Sequence, residues 1–320
     1  MGTATQEWLL GQDPALRWQV ERDLLDAPEE VWAATRARVA TEGYGARLLA
    51  EQDPDGQWAG GAFFPADFSE HAADEEGQPW TATTWSLNSL REWGVDASVL
   101  PGTAERLAAG CRWEYDDLPY WGGEVDVCIN SWTLSNGLWL GADVDGIVDW
   151  FLTHRLPDGG WNCSWVDGSQ RSSFHSTLNA VKGLLDHAVR TGDAERTREA
   201  RRAGEEYLLV RRLHRRLSTG ETVAPWALRP TYPPRAYYDV LNALDHFRAA
   251  AAHDGTPPDP RLAEAVATLR DQQQPDGRWL QGPPHRGRTW FAVDVDEGEP
   301  SPWLTFQALR VLRWWDAEAG

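Results

Sequence analysis

Apolar positions recur along the chain with the spacing of amphipathic helices, and three such stretches end at the same turn. The turns lie at residues 54–58, 157–161 and 275–279, and each reads Pro-Asp-Gly, one further residue and Trp. Proline and aspartate favour a turn, and glycine accepts the left-handed conformation that ends a helix. We predict a helix before each turn, and we expect the tryptophan to pack back over the end of that helix.

A second helical stretch follows each turn after a loop. These stretches begin with small or polar residues and read TATTWSLNSLREW, SSFHSTLNAVKGLLDHA and SPWLTFQALRVLRWW. Weaker copies of the unit start at residues 119–123 and 218–221, and a pair of helices near 14–26 and 28–41 adds another hairpin. The pattern predicts roughly six helical hairpins and no alternating strand.

Hairpins of nearly equal length either stack as an open solenoid or close into a double ring. The second helices begin with polar, aromatic and histidine residues, which favours a closed ring that holds these residues inside. We therefore predict an all-α fold consisting of a single α6/α6 toroid over residues 1–320 with a central cavity. Residues 1–43 would be the hairpin that completes the ring.

Composition and charge narrow the classes of function. The net charge of −19 argues against unspecific nucleic-acid binding, which needs a basic face. No apolar run is long enough for a membrane helix, and the first residues lack the features of a secretory signal. Three widely spaced cysteines form no disulfide pattern, so we expect a cytoplasmic protein. Lys182 is the only lysine, a bias typical of GC-rich coding.

The helix followed by Gln-x-x-Asp-Gly-x-Trp resembles the QW repeat of squalene–hopene cyclases and of protein prenyltransferase β subunits. The resemblance covers the chain from about residue 44 onward, and the chain also looks like short bacterial squalene-cyclase-like proteins. Triterpene cyclases need two toroids, whereas this chain has room for one. A single toroid resembles the prenyltransferase β subunit, which reacts its substrates in the central cavity, and this implies a transferase-type enzyme.

Residues 124–132 are similar to the prenyltransferase segment in which Asp-x-Cys supplies two zinc ligands. Asp126 and Cys128 hold those positions, and Trp132 has the offset of the family's cavity-lining tryptophan. The family's third ligand is a histidine that follows an aromatic residue at the start of the next inner helix, as His175 does here. The resemblance implies a Zn²⁺ site with an open fourth position, as in catalytic zinc centres. If Cys163 on the intervening loop also binds, the site closes and becomes structural or redox-sensitive.

The segment that holds a diphosphate in protein prenyltransferases is basic, but here it is acidic. Residues 113–117 read Trp-Glu-Tyr-Asp-Asp, and Glu124 precedes Asp126. These carboxylates would repel a diphosphate unless Mg²⁺ intervened. The chain also contains no partner domain like the family's α subunit. We therefore expect a small hydrophobic substrate and a reaction of alkyl or prenyl transfer, a lyase reaction or a cyclisation.

Asp294, Asp296 and Glu297 resemble a relaxed form of the D-x-D-D acid of class II terpene cyclases, which protonates an alkene or epoxide. Neighbouring carboxylates can raise the pKa of one member, so Asp296 is the candidate acid of a metal-free cyclase. A solvated acidic loop is the alternative interpretation of these residues. A further alternative for the whole protein is a toroid that binds a ligand without turnover.

The starts of the other second helices supply further candidates. Tyr238 and Asp239 are predicted to open one of these helices, and they join Asp296 as candidate catalytic residues. Aromatic rings would line an apolar cavity and could stabilise a cation, and an arginine could bind an anionic group. The predicted substrate-binding residues are Trp132, Phe174, Tyr238, Trp290 and Arg288.

Overall fold

The computed structural model describes residues 2–71 and 76–319, which form two compact units. The N-terminal unit comprises Asp13–Thr153 and His285–Val293, and the C-terminal unit comprises Met1–Gln12, His154–Pro284 and Asp294–Gly320. Both units consist mainly of α-helices, so the predicted all-α class is confirmed. The toroid and the single domain over residues 1–320 stay predictions. Every helix within the described ranges is too short or too polar to cross a membrane.

The N-terminal unit contains α2 to α9, and its helices pack mainly on their neighbours in the chain. Helix α2 packs on α3, and α6 packs on both α4 and α8. Helix α8 is buried around nearly its whole circumference, and its buried residues include the polar side chains of Asn130, Ser131, Thr133, Ser135 and Asn136. The bounds are α2 (Pro14–Asp23), α3 (Glu29–Arg38), α4 (Gly43–Leu49), α5 (Phe68–His71), α6 (Thr83–Trp93), α7 (Thr103–Gly110), α8 (Val127–Leu140) and α9 (Asp145–Thr153).

The C-terminal unit contains α1 and α10 to α14. Helices α10 and α11 form an antiparallel hairpin through Gly192, and α12 packs on α10, α13 and α14. A pair of two-residue strands, β1 and β2, joins Trp279 to Ser301. The bounds are α1 (Thr3–Leu10), α10 (Phe174–Thr191), α11 (Ala194–Leu209), α12 (Val240–Asp254), α13 (Ala263–Asp271), α14 (Pro302–Ala319), β1 (Trp279–Leu280) and β2 (Pro300–Ser301).

The repeated tryptophans pack back over the preceding helix, as predicted. The indole N–H of Trp58 donates to the carbonyl of Leu48 at 2.8 Å, and that of Trp279 donates to Leu269 at 2.9 Å. Each of these two rings is almost fully buried, as is that of Trp161. The carbonyls belong to the last turns of α4 and α13, whose final carbonyls lack partners within the helix. The tryptophan therefore caps the helix that the turn ends.

The same tryptophans also fix the start of the following helix. The backbone N–H groups of Trp58, Trp161 and Trp279 each donate to a threonine Oγ1, at 3.1, 3.1 and 3.0 Å. The acceptors are Thr83, Thr177 and Thr305, at the first turns of α6, α10 and α14. Trp58 thus ties α4 to α6 in the N-terminal unit, and Trp279 ties α13 to α14 in the C-terminal unit, which fixes the starts of α6 and α14.

The structure corrects one predicted helix start. Helix α12 begins at Val240 with Asp239 as its N-cap, so Tyr238 lies before the helix rather than in it. Asp239 has an extended backbone, and its side chain accepts the N–H of Asn242, as is typical of an N-cap residue.

Candidate functional site

Asp126 and Cys128 lie at the N-terminus of α8, where Asp126 is the N-cap residue. Its Oδ1 accepts the backbone N–H groups of Cys128 and Ile129 at 2.7 and 3.1 Å. A carboxylate oxygen of Asp126 and the Sγ of Cys128 lie within 4.8 Å of each other. A carboxylate and a thiol, which together suit Zn²⁺, therefore share the first turn of this helix.

A reciprocal pair of hydrogen bonds fixes the loop before α8. The N–H of Glu124 donates to Asn130 Oδ1 at 2.7 Å, and Asn130 Nδ2 donates to the Glu124 carbonyl at 2.6 Å. Gly123 has a φ of +76°, and a Cβ there would lie 2.5 Å from Asn130 Oδ1. The Glu124 carboxylate accepts the N–H of Asp126 at 2.9 Å. Burial, together with the nearby Asp126 charge, raises the pKa of Glu124.

Trp132 follows Cys128 by one helical turn, so both side chains lie on the same side of α8. Its ring centroid is 4.8 Å from that of Trp85, which in turn lies 5.0 Å from Phe63 and 4.6 Å from Trp80. Trp132 itself is 8% exposed. The residue that the sequence predicts to line a cavity therefore belongs to a continuous aromatic cluster of the N-terminal unit.

His175 and Cys163 both lie beside the first turn of α10, in the C-terminal unit. Ser173 caps this helix, and His175 is its second residue. Cys163 donates its backbone N–H to Ser176 Oγ at 3.1 Å, and its Sγ is 3.2 Å from the same oxygen. Burial lowers the pKa of His175, which favours the neutral imidazole that binds metals.

The imidazole of His175 belongs to a second aromatic cluster. Trp226 is its nearest ring partner at 4.6 Å, and Phe174 lies 5.2 Å from Tyr238. Tyr237 is a cavity candidate from its position in the sequence, whereas Trp226 is not, and the two side chains are 44% and 37% exposed. Both are large aromatic side chains that a folded chain usually buries more deeply, so they offer apolar surface beside the imidazole.

The two candidate catalytic residues before α12 are deeply buried. The hydroxyl of Tyr238 donates to the carbonyl of Leu213 at 2.6 Å, and burial raises its pKa well above the usual value. Asp239 accepts the N–H of Asn242 at 2.8 Å as the N-cap of α12. Burial raises the pKa of Asp239 to about 6. Tyr238 is therefore held as a neutral donor to the backbone, whereas Asp239 is a carboxyl group that can exchange a proton near neutral pH.

Of the three carboxylates in the acidic segment before α14, one is half-buried and two are exposed. Asp294 is half-buried, where its Oδ2 accepts Ser301 Oγ at 2.5 Å and Gln281 Nε2 at 3.4 Å. Burial raises the pKa of Asp294 to about 6. Asp296 and Glu297 are exposed. The structure thus distinguishes Asp294 from the rest of the motif, whereas the sequence pattern favours Asp296 as the acid.

The remaining predicted substrate residues make contacts within the N-terminal unit. Arg288, which the sequence predicts to bind an anionic substrate, forms a bidentate ion pair with Asp67 at 2.7 and 2.9 Å. This ion pair neutralises the charge of the arginine. Trp290 donates its indole N–H to the carbonyl of Thr81 at 3.0 Å. Asp126 and Cys128 belong to this unit as well, whereas Cys163 and His175 belong to the C-terminal unit.

Comparisons with known proteins give no family for the chain. No protein-family model matches it, and no curated protein sequence does. A crystal structure of a protein from Actinoplanes is similar, with 18% sequence identity and a TM-score of 0.45 over 95% of this chain and 90% of that chain.

Proposed function

We propose that the protein is a zinc-dependent enzyme that acts on a small hydrophobic substrate. The observation that carries the proposal is the pair of Asp126 and Cys128 on the first turn of α8, whose ligand atoms lie within 4.8 Å of each other. Zn²⁺ suits this donor set better than Mg²⁺ or Ca²⁺ does, because those ions bind oxygen ligands and avoid thiolates.

The Asp126–Cys128 pair has the capacity to bind a metal in addition to its structural role. Oδ1 of Asp126 caps α8, and we propose the second carboxylate oxygen as the metal ligand. Zinc usually takes about three or four protein ligands, so the pair needs at least one more. Cys163 and His175 are the candidates that the sequence supplies, and the low pKa of His175 favours its ligating form.

The aromatic clusters support a hydrophobic substrate. Trp132 lies one helical turn from Cys128 and packs on Trp85, and Trp226 lies against His175. A bound Zn²⁺ would lower the pKa of a thiol or water and so supply a nucleophile near neutral pH. Together with the resemblance of residues 124–132 to the prenyltransferase segment, this favours alkyl or prenyl transfer, or a related lyase or cyclisation reaction.

Metal analysis of the purified protein tests the proposal. We expect protein purified without added metal to contain about one equivalent of zinc, as a site of this donor type retains the ion. Cys128→Ala and Asp126→Ala should each lose most of it, and Cys163→Ala and His175→Ala identify the further ligands. Cys111→Ala is the control, because Cys111 is fully buried and burial raises its thiol pKa to about 12. Zinc contents that are equal in Cys128→Ala and in the wild type would overturn the proposal.

A second candidate function, a metal-free acid-catalysed cyclase, is favoured by the burial of Asp294. A carboxyl group with a pKa raised to about 6 remains partly protonated near neutral pH and could donate that proton to an alkene or epoxide. The two functions make opposite predictions about the same variants. Loss of turnover in Asp294→Asn with full turnover in Cys128→Ala would support the cyclase and reject the zinc enzyme.

A further inference from the structure

The C-terminal unit contains a pocket of about 330 Å³ that combines apolar and charged walls. Helices α11 and α12 form two of the walls, and α14 and residues 256–262 complete the lining. Two alanines on α12 leave the space open. A volume at the lower end of the range for ligand sites suits a small molecule. The apolar side chains of the helical walls are Leu209, Phe247, Ala250, Ala251 and Trp314.

The wall formed by α11 carries a deeply buried carboxylate, Glu205, whose side chain is 3% exposed. Its Oε1 accepts Arg201 Nη1 at 2.7 Å and lies 3.1 Å from His246 Nε2. Burial disfavours the charged form, but the hydrogen bonds from His246 and Arg201 outweigh burial and lower the pKa of Glu205. Its Oε2 accepts no hydrogen bond from any residue within the described ranges. A buried carboxylate oxygen normally has a donor, so this one is poised to accept a hydrogen bond from a ligand.

A guanidinium lies beside this oxygen without bonding to it. Arg202, three residues earlier on α11, lines the same pocket, and its Nη1 is 3.7 Å from Glu205 Oε2. That separation is too long for a hydrogen bond. Its Nη2 lies 2.8 Å from Asp254 Oδ2, which orients the guanidinium. The pocket therefore presents an anionic acceptor and a cationic donor side by side.

The charges around the pocket are balanced before a ligand enters. Arg201 and Arg202 face the two carboxylates of Glu205 and Asp254. Asp259, a further carboxylate of the lining, accepts Arg261 through both of its oxygens, at 3.0 and 2.7 Å. A ligand with a net charge would disturb this balance, whereas a ligand that carries one positive and one negative group would preserve it.

We propose that this pocket binds a free hydrophobic α-amino acid. The ammonium group donates to Glu205 Oε2, the carboxylate accepts from Arg202 Nη1, and the side chain packs between Phe247 and Trp314. Both charged groups of an α-amino acid are attached to one carbon, so they reach an acceptor and a donor that are neighbours. Two charge-assisted hydrogen bonds then replace one long contact. The pocket contains none of the proposed zinc ligands, so the inference is independent of the proposed zinc enzyme.

Calorimetric titration of the full-length protein tests the proposal. We expect saturable binding of L-phenylalanine or of L-leucine at neutral pH. The analogues 2-phenylethylamine, which lacks the carboxylate, and 3-phenylpropionate, which lacks the ammonium group, should each bind at least about tenfold more weakly than phenylalanine. Wild-type protein that binds neither amino acid would overturn the proposal, and so would analogues that bind as tightly as phenylalanine does.

Three variants locate the binding site. Ala251→Leu fills the pocket without changing its charge and should abolish binding of both amino acids. Arg202→Gln should lower the affinity for phenylalanine about tenfold but should not weaken binding of 2-phenylethylamine, because only the amino acid has a carboxylate for the arginine. Arg198→Gln removes an exposed arginine of the same helix, paired with Glu195, and should bind as the wild type does. Phenylalanine affinity that is unchanged in Ala251→Leu would overturn the assignment of the pocket, and equal losses for the two ligands in Arg202→Gln would overturn the role of Arg202.

Discussion

The imidazole of His175 and the indole of Trp226 lie 4.6 Å apart, with their planes inclined by 53°. Tyr237 and Tyr238 flank the same imidazole with centroids at 6.0 and 6.2 Å. These rings withdraw the imidazole from water, and the loss of hydration lowers its pKa. Aromatic packing thus stabilises the neutral form of a residue that the sequence predicts to be a metal ligand.

Trp226→Ala should raise the pKa of His175 toward the ordinary histidine value of about 6.5, because it lets water reach the charged imidazole. Because folding lowers the pKa of His175, the unfolded chain binds a proton at a higher pH than the folded protein does. The histidine therefore destabilises the folded state as the pH falls below the histidine pKa of the unfolded chain. That acid sensitivity should decrease in the variant. NMR titration of the His175 ring protons measures the shift. Trp226→Phe keeps an aromatic cover and should stay near the wild-type pKa; equal values in all three proteins would contradict this account.

The turn glycines Gly159 and Gly277 provide a matched pair for the repeated turn. Their φ angles are +98° and +84°, so alanine is strained at both positions. A Cβ at Gly159 would also lie 2.9 Å from the carbonyl oxygen of Ala203, whereas the nearest atom at Gly277 is Thr5 Oγ1 at 3.5 Å. We expect Gly277→Ala to cost about 1–2 kcal/mol and Gly159→Ala about 1 kcal/mol more. Urea unfolding measures both, and equal losses would show that the backbone contact is unimportant.

The sequence predicts the repeated turns well because their interactions are local. Trp58 and Trp279 reach carbonyls of Leu48 and Leu269 in the helix that each turn ends, so both partners lie within one repeat. The helix after each turn also starts within a few residues of its predicted position. Regular spacing thus predicts most helices, whereas the start of α12 is set by Asp239, whose side chain caps the helix at Asn242.

The candidate site is predicted less completely because its contacts are specific to single loops. The Asp126–Cys128 pair is recognisable from its spacing, but the amide of Asn130 that fixes the preceding loop is not. Trp226 belongs to the short 3-10 helix Pro225–Leu228, which carries no repeat signal. Its contact with His175 therefore follows only from tertiary packing. The inward orientation of Asp294 likewise depends on Ser301 and Gln281, which the acidic pattern does not indicate.

Asp294 should give the protein a stability change in mildly acidic solution. Burial raises its pKa to about 6 from 3.8, so the folded state binds the proton more tightly than the unfolded chain does. The contribution of Asp294 to the free energy of unfolding is fully present below the pKa that this residue has in the unfolded chain. It is lost as the pH rises through about 6. The difference in unfolding free energy between wild type and Asp294→Asn should therefore change by up to about 3 kcal/mol over this window. Asp296→Asn, at an exposed position, is the control, and a pH-independent difference for Asp294→Asn would refute the assignment.

Arg201 should be the most destabilising charge to remove from the C-terminal unit. Its side chain is 1% exposed and pairs at 2.7 Å with both Glu205 and Asp254. Burial opposes the ionisation of Glu205, but hydrogen bonds from His246 and Arg201 outweigh it and lower the pKa of Glu205. Arg201→Met leaves two carboxylates without their buried partner, and we expect a loss of about 3–5 kcal/mol in urea unfolding at neutral pH.

The control for Arg201 is Arg198, which lies on the same helix and pairs with the exposed Glu195 at 2.8 Å. Arg198→Met should cost less than about 1 kcal/mol, because water and salt screen an exposed pair. The deficit of Arg201→Met should also shrink as the pH falls, since protonation removes the buried negative charge of Glu205 that has lost its ion pair with Arg201. A deficit that stays constant between neutral and acidic pH would mean that lost packing of the arginine side chain, rather than its charge, destabilises the variant.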